Sequence, residues 1–133
     1  MPHPPLGRRA RKKEATRRQI VDVALALFER QGFAATTMEQ IATAADVAKG
    51  TLYNYFPAKE AIICAHWQRV VADYQPQATA SMQQASNTRA RLKALFRGGL
   101  SYVRAHRDSY RIYLHYRLSH AADASGESSG RRV

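Results

Sequence analysis

The sequence predicts an all-α fold with a three-helix head, a long connecting helix and a partial set of further helices. Apolar residues recur at offsets of three, four and seven along most of the chain, which is the period of a helix that buries one face. No alternating apolar pattern is long enough to predict a strand. Two short helical patterns also lie close together between residues 37 and 56, on either side of a brief break.

The composition favours a polyanionic partner. The chain has 133 residues and a formal charge of +11, from 21 Lys and Arg against 10 Asp and Glu. A sequence pI near 10.4 is typical of domains that bind nucleic acid. The lone cysteine, Cys64, cannot form an intramolecular disulfide, and no apolar run approaches the roughly 18 residues needed to span a bilayer. We therefore expect a cytoplasmic protein that does not enter the membrane.

Residues 1–14 are predicted to form a disordered basic arm. They contain three prolines and almost no large apolar side chains, so they cannot pack. Up to residue 18, seven Lys and Arg oppose Glu14 alone, a net charge of +6. Arms of this composition can enter the minor groove of DNA, which makes Arg17 and Arg18 candidate DNA contacts. The alternative is that these charges serve only solubility.

The head is predicted over residues 15–57. Its first helix starts near Ala15 or Thr16, and Gly32 is placed to end it with a positive φ. The second helix opens with a capping box, because Thr37 can cap it while Gln40 reaches back to the cap backbone. After a break near residues 45–47, a third helix follows from about residue 48 to residue 56. The apolar stripes of these helices supply the core: Ile20, Ala24, Leu27, Phe28, Met38, Ile41, Ala42, Ala45, Leu52 and Phe56.

The outer side of the third helix carries groups that suit phosphate oxygens and base edges. These are Lys49, Gly50, Thr51, Tyr53, Asn54 and Tyr55. Two short helices joined by a tight turn, the second one polar on its outer side, predict a helix-turn-helix. In such a motif the second helix is the recognition helix.

Residues 58–120 are predicted to hold the connecting helix and a partial C-terminal helical region for ligand binding or dimerisation. Lys59 opens the connecting helix and Pro76 stops it. A polar stretch over residues 77–88 then leads to two further helical stripes, around residues 92–103 and 110–118. Together with the head, this makes every ordered segment helical.

Two glycines interrupt the first of these stripes. Gly98 and Gly99 each cost about 1 kcal/mol relative to alanine inside a helix. They therefore indicate either close packing of backbone or a kink. Residues 121–133 are small, polar and rich in Gly and Ser, and we expect them to form a disordered tail.

Residues 36–62, TTMEQIATAADVAKGTLYNYFPAKEAI, resemble the DNA-binding domain of TetR/AcrR-type transcriptional regulators. The resemblance extends from Ile20 to Trp67. It includes the GFAATT entry at Gly32–Thr37, the KGTxYxxF core that starts at Lys49, and the AKEAI segment after Pro57. It implies an all-α regulator in which the head binds DNA and later helices bind effectors and form dimers.

This resemblance implies roles for the candidate residues. Thr37 and Lys59, at the starts of the second and fourth helices, would contact phosphates. Lys59 could instead be a solvated charge. Lys49, Thr51 and Asn54 are the candidates for base reading, since lysine can donate to guanine and asparagine can pair with adenine.

The other candidates have roles that remain open. Gly50 permits close approach of the backbone. Tyr53 and Tyr55 would donate to phosphates, although many family members carry histidine at the position of Tyr55, and both rings could instead cap the core. His66 and Trp67 could line an effector pocket, with ordinary packing as the alternative.

We expect a sequence-specific DNA-binding transcriptional regulator, of the ligand-responsive repressor type by resemblance alone. The expected partners are double-stranded DNA with a palindromic operator and a small-molecule effector. A homodimer is the arrangement of the family, but the chain is shorter than family members usually are. One alternative is a non-specific or architectural nucleic-acid-binding protein driven by charge, and another is a truncated dimerisation partner of a full-length regulator.

An enzyme is not expected. The histidines show no metal-ligand spacing, and Cys64 has no evident base in the sequence. The acidic residues are scattered on polar faces. The sequence therefore predicts no catalytic residues, no metal site and no cofactor.

Overall fold

The computed structural model describes residues 7–127, apart from the side chains of Leu95 and of residues 122–127. Within that range the chain forms six helices and no strand, which confirms the all-α prediction. In chain order they are α1 (Arg8–Gln31), α2 (Met38–Ala44), α3 (Lys49–Tyr55), α4 (Lys59–Gln84), α5 (Thr88–Ala105) and α6 (Arg107–Glu127). The chain divides into two compact units, Met1–Ile62 and Ile63–Val133.

The first unit is built on the packed apolar faces of α1, α2 and α3. Each of these helices leaves one stripe of apolar residues that it cannot bury alone, so the three stripes meet in one core. The buried side chains of this core are Ile20, Val21, Ala24, Leu27, Ile41, Ala42, Ala45, Leu52 and Phe56. Nearly all of them were predicted from the helical spacing, with Val21 added and with Phe28 and Met38 only half-buried.

The capping box and the turn between α2 and α3 determine how the two helices meet. The Gln40 N–H donates to Thr37 Oγ1 at 3.1 Å, and the Thr37 N–H donates to Gln40 Oε1 at 3.0 Å, as the sequence predicted. α2 ends before Asp46, which has a φ of 55°. Aspartate tolerates this left-handed conformation better than most residues. The Val47 N–H then closes the turn by donating to the carbonyl of Ala42 at 3.0 Å.

The helical part of the chain begins earlier than predicted. α1 starts at Arg8, so residues 8–14 are helical and the prediction of a disordered arm is wrong for them. The three prolines of the predicted arm lie within residues 1–6, and the Arg, Ala and Lys residues of the segment 8–14 have high helix propensity. Glu14 and Arg18 also lie one turn apart, with 3.8 Å between carboxylate oxygen and guanidinium nitrogen. Residues 1–6 lie outside the described range.

α4 continues past the point where the sequence predicted its end. Pro76 lies inside the helix, which runs to Gln84, so the predicted stop was wrong. The φ of proline is compatible with a helix, although Pro76 removes the hydrogen bond to the carbonyl of Ala72 and its ring crowds that carbonyl. The residues after it are mostly Ala, Gln and Met, which favour helix. The Thr79 hydroxyl also donates to the carbonyl of Gln75 at 2.9 Å.

α5 and α6 complete the second unit. Asn87 caps α5, because its Oδ1 accepts from the Ala90 N–H at 2.8 Å. α6 continues to Glu127, so residues 121–127 are helical where a disordered tail was predicted. The high helix propensity of the Ala and Glu residues in this segment outweighs the low propensity of its single Gly. Residues 128–133 lie outside the described range.

Gly98 and Gly99 lie where α5 passes the side chain of Tyr74 on α4. A Cβ added at Gly98 would lie 3.0 Å from Tyr74 Oη. The Gly99 N–H donates to the same oxygen at 3.0 Å. Of the two explanations that the sequence left open, close packing is therefore the one observed.

Candidate nucleic-acid interface

α3 has a polar outer face and an apolar inner anchor. Leu52 is fully buried, and Phe56, which ends the helix, is 2% exposed. Five of the six polar-face residues predicted from the sequence are exposed, and they are Lys49, Gly50, Thr51, Tyr53 and Asn54. Tyr55 is half-buried. The two apolar side chains thus anchor α3 in the core, and the hydroxyl, amide and ammonium groups of the helix face solvent.

Lys49 forms an ion pair that joins α3 to α2. Its Nζ lies 2.7 Å from Glu39 Oε1, and the side chains are 56% and 72% exposed, respectively. The hydrogen bond from the Lys49 ammonium lowers the pKa of the Glu39 carboxyl below 4.5. The same hydrogen bond raises the pKa of Lys49 above 10.5. The Glu39 carboxylate and the Lys49 ammonium are therefore both charged at neutral pH.

Glu39 was not among the surface residues predicted from the sequence. An acidic residue in the first turn is a common feature of helix N-termini, so its position alone carries no sign of a partner. The turn at Asp46 brings Glu39 and Lys49 together, although ten positions separate them. No periodic pattern within one helix could have predicted this contact.

Arg17 and Arg18 occupy different environments on α1. The guanidinium carbon of Arg17 lies 5.1 Å from the centroid of the Phe56 ring, a cation–π contact with the residue that ends α3. Arg18 is exposed and pairs loosely with Glu14. Arg17 is thus held in place, whereas Arg18 extends into solvent.

Thr37 lies in a hydrogen-bonded junction between α1 and α2. Its hydroxyl oxygen accepts from the backbone of α2, as part of the capping box. The Gln40 side chain that completes the box also accepts from Gln31 Nε2 at 2.7 Å. Because a hydroxyl that accepts one hydrogen bond keeps its own hydrogen, Thr37 can still donate to a phosphate.

Lys59 is bonded inside the head. Its Nζ donates to the carbonyl oxygens of Phe33, Thr36 and Ala34 at 2.6, 3.0 and 3.4 Å. The ammonium also lies 4.4 Å from the centroid of the Phe33 ring. An ammonium has three N–H bonds, and three carbonyls can occupy all of them. The alternative of a merely solvated charge is therefore wrong, and a phosphate contact by Lys59 stays a prediction.

A cavity lies within the second unit, lined by residues of α4, α5 and α6. Its volume is about 530 Å³. The lining is mostly apolar and aromatic, with Trp67, Val70, Val71, Tyr102, Val103 and Tyr110 among its residues. Trp67, a predicted pocket residue, lines this cavity, whereas His66 does not. The His66 ring contacts Trp67 edge-on, with 5.9 Å between centroids.

The Trp67 ring is held firmly in place. It is 2% exposed, and its Nε1–H donates to Ser109 Oγ at 3.2 Å. The ring also packs against Tyr110 and Tyr102, with centroids 4.9 and 5.5 Å apart. Trp67 thus packs in the core of the unit and also borders the cavity, and a role for it in an effector pocket stays a prediction.

The residues whose side chains the structure describes contain no group of three or more His, Cys, Asp and Glu placed to hold a metal ion. None of their helices combines the length and the apolar character needed to cross a membrane. Cys64 is buried and forms no disulfide bond within the described residues.

Comparison with known proteins identifies the head. Residues 20–65 match the family of bacterial regulatory proteins described as the tetR family. The chain is 35% identical over 81 residues to the HTH-type transcriptional regulator BetI of Rhizobium meliloti, a match that covers 61% of this chain and 40% of BetI. It is 40% identical over 65 residues to the HTH-type transcriptional regulator RutR of Escherichia coli K12, which covers 49% of this chain and 31% of RutR.

A solved structure extends the similarity beyond the head. The FadR protein of Thermus thermophilus, a TetR family transcriptional repressor crystallised in complex with lauroyl-CoA, matches with a TM-score of 0.65 and 31% identity. The match covers 71% of this chain and 48% of FadR, so the chain spans less than half the length of each of these three relatives. The part of the chain that carries α2 and the exposed polar face of α3, residues 20–65, thus matches the TetR family of bacterial regulatory proteins.

Proposed function

We propose that the chain is a sequence-specific DNA-binding transcriptional regulator. One observation carries the proposal: α3 exposes a continuous polar face while Leu52 and Phe56 anchor it in the core. The major groove is wide enough to admit a helix, and a recognition helix contacts base edges with such a face. The family to which residues 20–65 belong supports the same function.

Base reading falls to the exposed side chains of α3. Lys49 can donate to guanine O6 and N7, and Asn54 can pair with adenine N6 and N7. Thr51 offers both a hydroxyl group and a methyl group that can contact thymine. Gly50 has no Cβ, so the backbone can approach the groove closely there.

Backbone contacts would set the position of α3 in the groove. Thr37 has a hydroxyl hydrogen to donate, and Tyr53 and Tyr55 carry phenolic hydroxyls. Arg17 and Arg18 add positive charge from α1, and the net charge of the chain is +11. These groups raise affinity for every sequence, whereas the base contacts distinguish one sequence from another.

We also infer a ligand-responsive repressor that acts as a homodimer on a palindromic operator. The cavity of about 530 Å³ has a largely apolar and aromatic lining, which suits an effector with an apolar part. The similar FadR of Thermus thermophilus was crystallised with lauroyl-CoA, which has such a part. α4 borders this cavity and begins at Lys59 in the head, so a ligand that displaces α4 would change the spacing of paired recognition helices.

Selection of bound sites from random DNA tests the DNA-binding proposal. We expect one preferred palindrome, bound at least about 10³-fold more tightly than unrelated DNA at physiological salt. A charge-driven or architectural protein would instead lose affinity evenly for all sequences as salt is raised. Lys49→Ala should blur one position of the motif, and Lys13→Ala, which removes an equal charge from α1, should leave the motif unchanged.

Two measurements test the remaining parts of the proposal. The molecular mass in solution distinguishes a homodimer from a monomer, and co-purification with a full-length regulator tests whether the chain is a dimerisation partner of such a protein. Lauroyl-CoA, used as a probe, should quench or shift Trp67 fluorescence and release the selected operator. If it binds at Trp67 without any effect on operator affinity, ligand control by this class of molecule is ruled out.

A further inference from the structure

The charged surface where α2 meets α3 contains a donor and an acceptor side by side. Lys49 Nζ and Glu39 Oε1 are 2.7 Å apart, and both side chains are largely exposed. Lys49 belongs to the polar face proposed to read bases, and Glu39 extends that face onto α2. A carboxylate on a surface that meets DNA repels phosphates at every sequence, so its presence there calls for a compensating contact.

A guanine–cytosine pair offers the matching arrangement in the major groove. Guanine presents the acceptors O6 and N7, and cytosine presents the donor N4–H₂. Guanine O6 and cytosine N4 are hydrogen-bonded to each other in the base pair, so they lie about 3 Å apart. An ammonium and a carboxylate at nearly the same separation can therefore contact both bases of one pair at once.

We propose that Glu39 is a specificity-determining residue that reads one guanine–cytosine pair jointly with Lys49. Lys49 donates to guanine, and Glu39 accepts from the N4–H₂ group of the paired cytosine. With adenine in place of guanine, the same ion pair would meet N6–H₂ with a cation and thymine O4 with an anion. With thymine in place of guanine, O4 and N6–H₂ keep the order of acceptor and donor, but the thymine methyl group replaces guanine N7, so Lys49 loses its second acceptor. This inference rests on the proposed sequence-specific DNA binding.

The ion pair also prepares both side chains for this contact. Each one restrains the other in free protein, so less conformational entropy is lost on binding DNA. At sequences without the matching pair, the carboxylate has no donor and repels the phosphates. Glu39 thus lowers the affinity for unrelated DNA and raises the preference for the matching site.

Site selection with matched variants tests the inference. For the wild-type chain we expect a guanine–cytosine pair at one position of each half-site. Glu39→Ala should reduce the preference for that pair at least about fivefold, and it should raise affinity for unrelated DNA. Lys49→Ala should weaken the same position. The double variant should lose no more discrimination there than Lys49→Ala alone, because the two residues act as one unit.

Two controls separate base reading from charge and from folding. Glu29→Ala removes the same charge from α1, and it should leave the guanine–cytosine preference unchanged. Glu39→Gln keeps an acceptor oxygen without the charge, and it should retain part of the preference. Circular dichroism checks that all variants fold.

The outcomes distinguish this inference from the proposed function. A wild-type chain that selects no motif overturns the proposed function and, with it, this inference. A wild-type motif that survives unchanged in Glu39→Ala overturns the inference alone. So does a Glu39→Ala effect at a position other than the one weakened by Lys49→Ala.

Discussion

The ammonium of Lys59 donates to the carbonyl oxygen of Phe33 at 2.6 Å and lies 4.4 Å from the centroid of the ring of the same residue. This contact ties the start of α4 to the loop between α1 and α2. The loop leads directly into Thr37, the residue that caps α2. A lysine expected to bind phosphate therefore also holds the segment that precedes a second predicted phosphate contact.

Lys59→Met should destabilise the first unit by about 1–2 kcal/mol, because three carbonyl oxygens lose a charged donor. We expect the midpoint of urea unfolding to fall in proportion. Lys93→Met, which removes an exposed lysine from α5, serves as the control and should change stability by less than about 0.5 kcal/mol. Equal unfolding midpoints for the two variants would show that the carbonyl contacts of Lys59 contribute nothing to stability.

Thr37→Ala should lower stability by about 1 kcal/mol, because the first turn of α2 loses its capping hydroxyl. It should also weaken binding to all DNA sequences alike, as expected for a phosphate contact. Thr43→Ala removes an exposed threonine within α2 that has no capping role, and it is the matched control for thermal unfolding. If Thr37→Ala and Thr43→Ala unfold at the same temperature, the Thr37 cap does not stabilise the chain.

The adjacent glycines of α5 should respond differently to alanine. At Gly99 the new Cβ would lie 3.5 Å from the Tyr74 ring, an ordinary contact, so Gly99→Ala should stabilise the helix by up to about 1 kcal/mol. At Gly98 it would lie 3.0 Å from Tyr74 Oη, and the ring must move. We therefore expect Gly98→Ala to be the less stable variant in thermal unfolding.

The double variant Tyr74→Phe with Gly98→Ala checks the cause. Removing the hydroxyl oxygen removes the closest atom but leaves Tyr74 Cε2 3.1 Å from the new Cβ. Only part of the gain in helix propensity should therefore reappear when the double variant is compared with Tyr74→Phe alone. If Gly98→Ala is as stable as Gly99→Ala in the wild-type background, the close approach of Tyr74 does not constrain α5.

The Glu39–Lys49 ion pair should respond to pH at two extremes. Because folding lowers the pKa of Glu39, the stability contributed by its carboxylate is fully present above pH 4.5. That stability is lost as the pH falls through the pKa of Glu39 in the folded chain. Because folding raises the pKa of Lys49, the stability contributed by its ammonium group is fully present below pH 10.5. That stability is lost as the pH rises through the pKa of Lys49 in the folded chain. Between these limits the pair stays charged.

An NMR titration of the Glu39 side-chain carboxyl measures this directly. Its midpoint should lie below 4.5 in the wild-type chain, because the Lys49 ammonium stabilises the carboxylate. In Lys49→Met the midpoint should move up towards 4.5. A midpoint that does not change between the two proteins would mean that the ion pair is not populated in solution.

The sequence by itself determined where the helices of the head form, and which face of each helix is apolar and which is polar. Their signals are local or periodic: the Thr37 capping box, the spacing of Ile41, Leu52 and Phe56, and the polar groups between the last two. Such signals are local because a helix repeats every few residues and its cap is satisfied within one turn. The exposed polar face of α3 could therefore be predicted from the sequence alone.

Only the tertiary structure decided which side chains meet across elements. The Glu39–Lys49 pair depends on the turn at Asp46, and the carbonyl partners of Lys59 lie more than twenty residues earlier in the chain. Favourable helix formers also outweighed the helix-breaking signal of proline, so that α4 continues through Pro76. These contacts depend on how separate helices are oriented, and no repeat or propensity within one helix contains that information.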